Sequence, residues 1–521
     1  MNNSDINALL SNHPDLRDGL YARGYLFTNI GHELMPTENL GKWNFTGFAD
    51  GFLMFDPRVK YTTVGDSENE QVLLGHAYNP FTMEADEKKI LESLSDKEGS
   101  AFYNVFNQLT GIFTYFRYKN GVFTVIGDPT CMQTNFYYAD GGKVAISSHT
   151  NLLNEVLHLD WDPYVRHLVS YKLFKLLGNS LPGDLTQFKN VRRMVPNFEY
   201  RFDKDGVSIS RFFCPHKEQV TVDKIVDGAS DILHKNLQLI AEKWDKPAIS
   251  MTGGCDSKTT LSCANGLYDK YSYFSYRSSE AEQVDADAAK VICNALGLTH
   301  KTYVIPENDA EVSDVAETGK LLRWNTGDIR NSNSNDIRKR AFFKKTFDYD
   351  VEVKSWASEI GRAYYSKRFN GRTNFGSAPT PRKMTTCYKF FFHDRKLVKQ
   401  TDAVFAEYAK QFFQSDKEHP IEWQDQFFWE FRVPSWNGLV ITGEHRYSFD
   451  ITIPYNNRLL LNLLLSAPIE SRISDEVYKR IRTKMNPAID QTGIAVTNLK
   501  HTEKREKLEN IYYAIHSKIP F

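Results

Sequence analysis

Apolar and polar positions change rhythm partway along the chain. Over the first 150 residues, short aromatic and β-branched runs alternate with turn residues, which reads mainly as strands and turns. The clearest is Gly111-Ile112-Phe113-Thr114-Tyr115-Phe116-Arg117-Tyr118, then Lys119-Asn120-Gly121, then Val122 to Ile126. Two such runs around Asn-Gly predict a hairpin. Lys143 to Ser148 predicts another strand, and Arg192 to Phe213 two more around the turn Asp203-Lys204-Asp205-Gly206. After about residue 218, helical periods alternate with short apolar runs. Helices are predicted over 222–243, after Ser257 and over 281–296; strands over 248–251, 271–276 and 301–305. That alternation predicts a parallel sheet with helices on its faces. Beyond residue 320 the pattern is mostly helical and rich in Phe and Tyr. The boundary falls near 210–220, giving units 1–215 and 216–521.

Composition narrows the class. Of 521 residues, 41% are hydrophobic and 25% charged, enough apolar material for a core and too much for wholesale disorder. Lys+Arg number 64 and Asp+Glu 65, so a globally basic nucleic-acid binder is not expected. The six cysteines are scattered without a C-x-x-C pair, against a disulfide scaffold or zinc ribbon. The greasiest run, Leu459 to Leu465, contains Asn462 and is far shorter than the ~20 residues of a membrane span. Met1-Asn2-Asn3-Ser4-Asp5 shows no basic-then-apolar signal, so a cytoplasmic protein is expected, with no membrane partner.

One segment concentrates the chemistry: Lys246-Pro247-Ala248-Ile249-Ser250-Met251-Thr252-Gly253-Gly254-Cys255-Asp256-Ser257-Lys258. An apolar strand runs into two glycines, an aspartate and a serine, and then a helix. The glycines permit a tight turn and close backbone approach to an anion. The helix start offers N–H groups and the positive dipole end to phosphate. Thr252 and Ser257 can donate hydroxyl bonds. Asp256 repels phosphate, so its expected work is to hold Mg²⁺ bound to that phosphate. The spacing is not that of a Walker loop. It resembles the S/T-G-G-x-D-S pyrophosphate loop of ATP-pyrophosphatases, which split ATP between the α and β phosphates. The following strand, Tyr271 to Tyr276, would end beside the loop, where open α/β sheets bind ligands.

Over nearly its whole length the chain resembles the asparagine synthetase family. Besides the loop, Lys354-Ser355-Trp356-Ala357-Ser358-Glu359-Ile360-Gly361-Arg362-Ala363-Tyr364-Tyr365 is similar, without gaps, to the family's S-G-E-G-x-D-E-L-F-G-G-Y. Ile453-Pro454-Tyr455-Asn456-Asn457-Arg458-Leu459-Leu460 is similar to R-x-P-F-L-D-x-x-L-V. In the N-terminal half, Leu109 to Phe113 resembles L-x-G-x-F, Gly127-Asp128 the R-D turn, Asn135 to Tyr138 the P-L-Y-Y strand, and Ala145 to Ser148 the A-S-E segment. The resemblance implies an α/β protein. Its N-terminal part would be a four-layer αββα sandwich of the Ntn-hydrolase type. Its C-terminal part would be a parallel-sheet ATP-pyrophosphatase unit that ends in helices. It implies ATP and Mg²⁺ as cofactors, with Asp256 and Glu359 as the metal carboxylates. Nucleotide contacts would fall to Ser250, Met251, Thr252, Gly253, Gly254, Asp256, Ser257, Ser275 and Ser355. Lys500 is the candidate for a charge-stabilising lysine, with Lys258 and Lys354 as competitors.

Two departures redirect the expected reaction. The family's glutaminase uses an exposed N-terminal cysteine, whereas the first cysteine here is Cys131. Trp356 falls where asparagine synthetases carry a glutamate that assists ammonia, and an indole takes no proton. Both resemble β-lactam synthetases and lasso-peptide cyclases. The expectation is a carboxylate adenylated by ATP and captured by an amine or ammonia, without glutamine hydrolysis. Tyr364, Tyr365 and His445 are candidate bases. The alternatives are a nucleobase-modifying ATP-pyrophosphatase and a degenerate, non-catalytic binding protein. Arg338-Lys339-Arg340 and Lys344-Lys345 read as solvated faces able to meet an anionic substrate. A homo-oligomer stays open.

Overall fold

The computed structural model describes residues 2–31, 39–176, 180–368, 378–388, 394–413, 418–494 and 503–518. Its N-terminal strands are β1 Tyr25–Thr28, β2 Asn44–Phe48, β3 Gly51–Phe55, β4 Tyr61–Asp66, β5 Asn69–Tyr78, β6 Thr110–Lys119, β7 Val122–Gly127, β8 Phe136–Asp140, β9 Lys143–Ser147, β10 Val191–Arg193, β11 Phe198–Asp203 and β12 Gly206–Arg211. They form two antiparallel sheets, ordered β10-β8-β9-β1-β3-β2 and β12-β11-β7-β6-β5-β4. The predicted hairpin is β6–β7. Asn120 and Gly121 both take positive φ, 53° and 75°, as a turn matched to strand twist requires.

Alternation along these strands produces four layers, because successive side chains face opposite sides. Phe27, Phe55 and Ile146 of one sheet meet Leu74, Phe116 and Phe123 of the other in a shared core. Their neighbours Leu26, Met54 and Ala145 face outward to the helices Asn3–Asn12 and Thr150–Leu157. Leu73, Tyr115 and Ile126 face outward to Glu87–Ser95 and Gly99–Phe106. The architecture is therefore an αββα sandwich. Reading the first 150 residues mainly as strands and turns underweighted these helices. Glu87–Ser95 had a local signal, since the Asp86 carboxylate accepts from the N–H groups of Lys88 and Lys89 at its start.

The second half holds one parallel sheet: β13 Pro247–Ser250, β14 Ser272–Arg277, β15 His300–Val304, β16 Val351–Val353 and β17 Asp450–Thr452, ordered β15-β14-β13-β16-β17. The helix Val222–Lys243 matches the predicted span. β16 and β17 interrupt the stretch read as helical; three residues each are too short for a periodic signal. The remainder of that stretch is largely helical. The Arg338-Lys339-Arg340 cluster is not solvated. All three are buried on the helix Ser334–Thr346, at 4%, 7% and 3% exposure. Arg338 pairs with Asp309 and Lys339 with Glu282.

Asn456, Asn457 and Arg458 bind the halves together, and all three are buried. Asn456 Nδ2 donates to Gly111 O at 2.6 Å and Asp128 Oδ1 at 2.9 Å, while its Oδ1 accepts from Thr130 at 2.7 Å. Asn457 donates to Gln108 O and Thr110 Oγ1, and Arg458 to Gly127 O. Among the described residues no helix is long and apolar enough to cross a membrane.

Candidate nucleotide site

The site grows from β13, the central strand of the parallel sheet. Ile249 pairs in register with Tyr273 of β14 and Val353 of β16, so the segments after all three strands emerge at one edge. That edge is the carboxyl end of the strands, where such sheets leave a crevice. After β13 the chain turns at Met251-Thr252-Gly253-Gly254 and enters the helix Cys255–Cys263. Gly254 is its N-cap and offers no side-chain cap, leaving first-turn N–H groups for an anion. Gly254 is extended, with φ −74°, and a Cβ there would stand 3.1 Å from Thr252 Oγ1, close enough to press on that hydroxyl. Two hydroxyls shape the loop. Thr252 Oγ1 and Ser257 Oγ lie 2.9 Å apart, and Ser257 Oγ accepts from Thr252 N–H at 3.2 Å.

The loop opens onto a cavity of about 310 Å³. Ser250, Met251, Thr252, Asp256, Ser257, Ser275, Ser355 and Glu359 line it, so most of the sequence candidates converge there. Ser275 Oγ is buried at this wall and, among the described residues, has no hydrogen-bond partner. Ser355 Oγ meets Thr260 Oγ1 at 2.7 Å. Sequence reasoning missed Glu282, Asp285 and Ala286, which complete the lining together with Tyr276 at the end of β14, Lys339 of the basic cluster, Lys354 and Trp356. Glu282, Asp285 and Ala286 sit on the helix Glu280–Ala295, and their positions carry no local motif.

The lysine candidates separate. Lys354 lines the cavity, pairs with Glu352 at 2.9 Å and sits 5.0 Å from the centre of the Trp356 ring. Lys258 instead donates to Ile494 O at 2.8 Å and does not line the cavity. Lys500 lies outside the described residues. None of the candidate bases lines the cavity. Tyr364 stacks on Phe428 at 4.5 Å, and Tyr365 is buried beside Phe427. His445 stands behind Trp356, ring centres 5.2 Å apart. Burial, then the charges of Arg340, Lys354, Arg330 and Lys339, hold its imidazole well below its ordinary range.

Asp256 and Glu359 line the same cavity. Burial, and then the Asp256 charge, push the Glu359 carboxyl up to about 7. Two carboxylates on one cavity wall, one of them raised by burial and by the charge of the other, suit a cation, so this pair fits a divalent ion. The chain also brings its own cation. Arg362 Nη1 donates to both oxygens of Asp256, at 2.7 and 2.6 Å. Ser358 Oγ donates to Asp256 Oδ1 at 2.7 Å. The short helix Ser358–Arg362 is flanked by Ala357 and Ala363, both left-handed, with φ 69° and 49°. In the N-terminal half Cys131 is buried, and burial followed by the Asp128 charge pushes its thiol up, away from the nucleophilic thiolate.

No family model matches the sequence, and no curated protein matches it. Among solved structures the chain is similar to the allosteric regulatory enzyme of purine biosynthesis, at 10% identity and TM-score 0.25, covering 64% of this chain and 88% of that one. It is similar to the glutamine phosphoribosylpyrophosphate amidotransferase of B. subtilis, solved with ADP and GMP. There the identity is 10% and the TM-score 0.21, covering 56% and 62%. A third is glutamine-dependent NAD+ synthetase of Acinetobacter baumannii, solved with ADP, at 12% identity and TM-score 0.21, covering 50% and 65%. At these levels the chemistry of the site rests on this chain's own residues.

Proposed function

We propose that the protein is an ATP-dependent, AMP-forming synthetase that adenylates a carboxylate and joins it to an amine or ammonia. The carrying observation is the convergence, at the carboxyl edge of a parallel sheet, of an uncapped helix start, two hydroxyls and two carboxylates around one cavity. In this reading residues 216–521 form the synthetase unit. Residues 1–215 form a glutaminase-like sandwich without its own glutamine hydrolysis, consistent with the buried Cys131 thiol.

The loop N–H groups with Thr252 and Ser257 hold the triphosphate. Ser275 and the end of β14 face the nucleoside. A substrate carboxylate oxygen attacks the α-phosphorus, forming an O–P bond as the bond to pyrophosphate breaks. The amine nitrogen then attacks the acyl carbon, and AMP leaves with the C–O bond electrons while the nitrogen loses a proton. Asp256 and Glu359 would hold Mg²⁺, which would neutralise charge on the pyrophosphate. Lys354 adds a positive charge at the wall, and Lys500 is proposed for the same task. Trp356 gives an apolar surface beside the reacting groups and helps exclude water.

ATP–pyrophosphate exchange tests this, with carboxylate pools and an Asp256→Ala control. Exchange that depends on one acid, and falls by at least about a hundredfold in the control, is expected. No exchange with any pool, together with no calorimetric binding of Mg-ATP, would favour a non-catalytic binding protein.

A further inference from the structure

Arg362 binds two carboxylates at once. One edge of its guanidinium meets Asp256, as described above. Its Nε and Nη2 donate to Asp475 Oδ1 and Oδ2 at 2.8 and 2.9 Å. Lys367 also donates to Asp475. Asp475 stands at the start of the helix Glu476–Met485, far in sequence from the phosphate loop. The three side chains are 18%, 24% and 20% exposed for Arg362, Asp256 and Asp475, so solvent and small ions reach them.

This arrangement balances charge without a ligand. A guanidinium fork that fits a carboxylate also fits a phosphate. The Asp475 edge is bidentate and reinforced by Lys367, whereas the Asp256 edge uses the single nitrogen Nη1. The Asp256 edge is therefore the one that exchanges when a polyphosphate and its metal arrive.

We propose that Arg362 is a resident counter-cation of the nucleotide site. In the free protein it occupies the place on Asp256 that a divalent cation takes with the nucleotide. Asp475 then keeps it within reach of the pyrophosphate oxygens. This rests on the nucleotide reading above and assigns Arg362 a positioning role. It follows that the free protein has no open metal site, and that a metal enters together with polyphosphate.

The test uses the full chain without nucleotide and follows Mn²⁺ binding by electron paramagnetic resonance. Wild type is expected to bind Mn²⁺ weakly, and Arg362→Gln at least about tenfold more tightly. The gain should vanish when Asp256→Asn is added, and Arg362→Lys should stay near wild type. Equal Mn²⁺ affinity in wild type and Arg362→Gln, or a gain that survives Asp256→Asn, overturns the proposal. Should Arg362→Gln fail to fold by circular dichroism, inorganic pyrophosphate titrated calorimetrically with Mg²⁺ and in EDTA decides. Binding that needs Mg²⁺ and weakens several-fold in Asp475→Asn supports the proposal; binding that is as tight in EDTA, no binding in either, or no change in Asp475→Asn overturns it. Failure of the nucleotide reading shows separately, as absent Mg-ATP binding and exchange, while the Mn²⁺ result at Asp256 stands by itself.

Discussion

Glu359 concentrates the electrostatics of the cavity. Burial and the Asp256 charge both favour its protonated form, raising it from near 4.5 to about 7. The folded protein therefore holds this proton across a range where the unfolded chain has released it. Stability falls as pH rises through that window and stays lower above it. Glu359→Gln mimics the protonated form. Without metal or nucleotide it should melt on the order of 1–2 °C above wild type at pH 8, with the advantage fading as pH falls toward 4.5. Differential scanning calorimetry at both pH values decides, and an equal shift at each would refute this account. Lys339 carries a related lesson. Its charge suggested solvent, but Glu282 from another helix lets it be buried at the cavity wall.

At the scale of elements, the segment after β16 stores strain where the site needs shape. Ala357 and Ala363 are left-handed, a conformation that costs a residue with a Cβ about 1 kcal/mol. Glycine at these positions relieves that cost, although it enlarges the entropy of the unfolded chain. Ala357→Gly is expected to be neutral or stabilising by up to about 1 kcal/mol in urea unfolding, against the usual loss for this change. A clear loss would show that the Ala357 methyl, which is buried, contributes more by packing. The Asn120-Gly121 turn needs no such strain, because both residue types accept positive φ.

Across the whole molecule, polar groups rather than apolar area alone fix how the halves meet. Asp128 is buried and accepts from the N–H groups of Thr130, Met132 and Gln133 and from Asn456 Nδ2. Asn456→Leu removes that donor, the one to Gly111 O and the acceptor of the Thr130 hydroxyl, leaving each of these buried groups one partner short. A loss of about 2–4 kcal/mol is expected in urea unfolding, with faster protease cleavage in segment 212–221. Unchanged proteolysis and stability would mean that the halves are held by other contacts.

What was legible in the sequence was whatever local chemistry dictates. Alternation and turn residues marked the β6–β7 hairpin, and the strand, Gly253-Gly254, Asp256 and helix order marked the loop, because each acts through near neighbours. The three-residue strands β16 and β17 were not legible, since only pairing with β13 and with each other makes them strands. Nor was the ladder from Asp256 through Arg362 to Asp475, whose members are separated by about a hundred residues each. The sequence by itself determined the change from short strands to alternating strands and helices, and the composition of the loop after β13. Only the tertiary structure decided which charges face that loop, because charge balance in a cavity depends on distance in space and not along the chain.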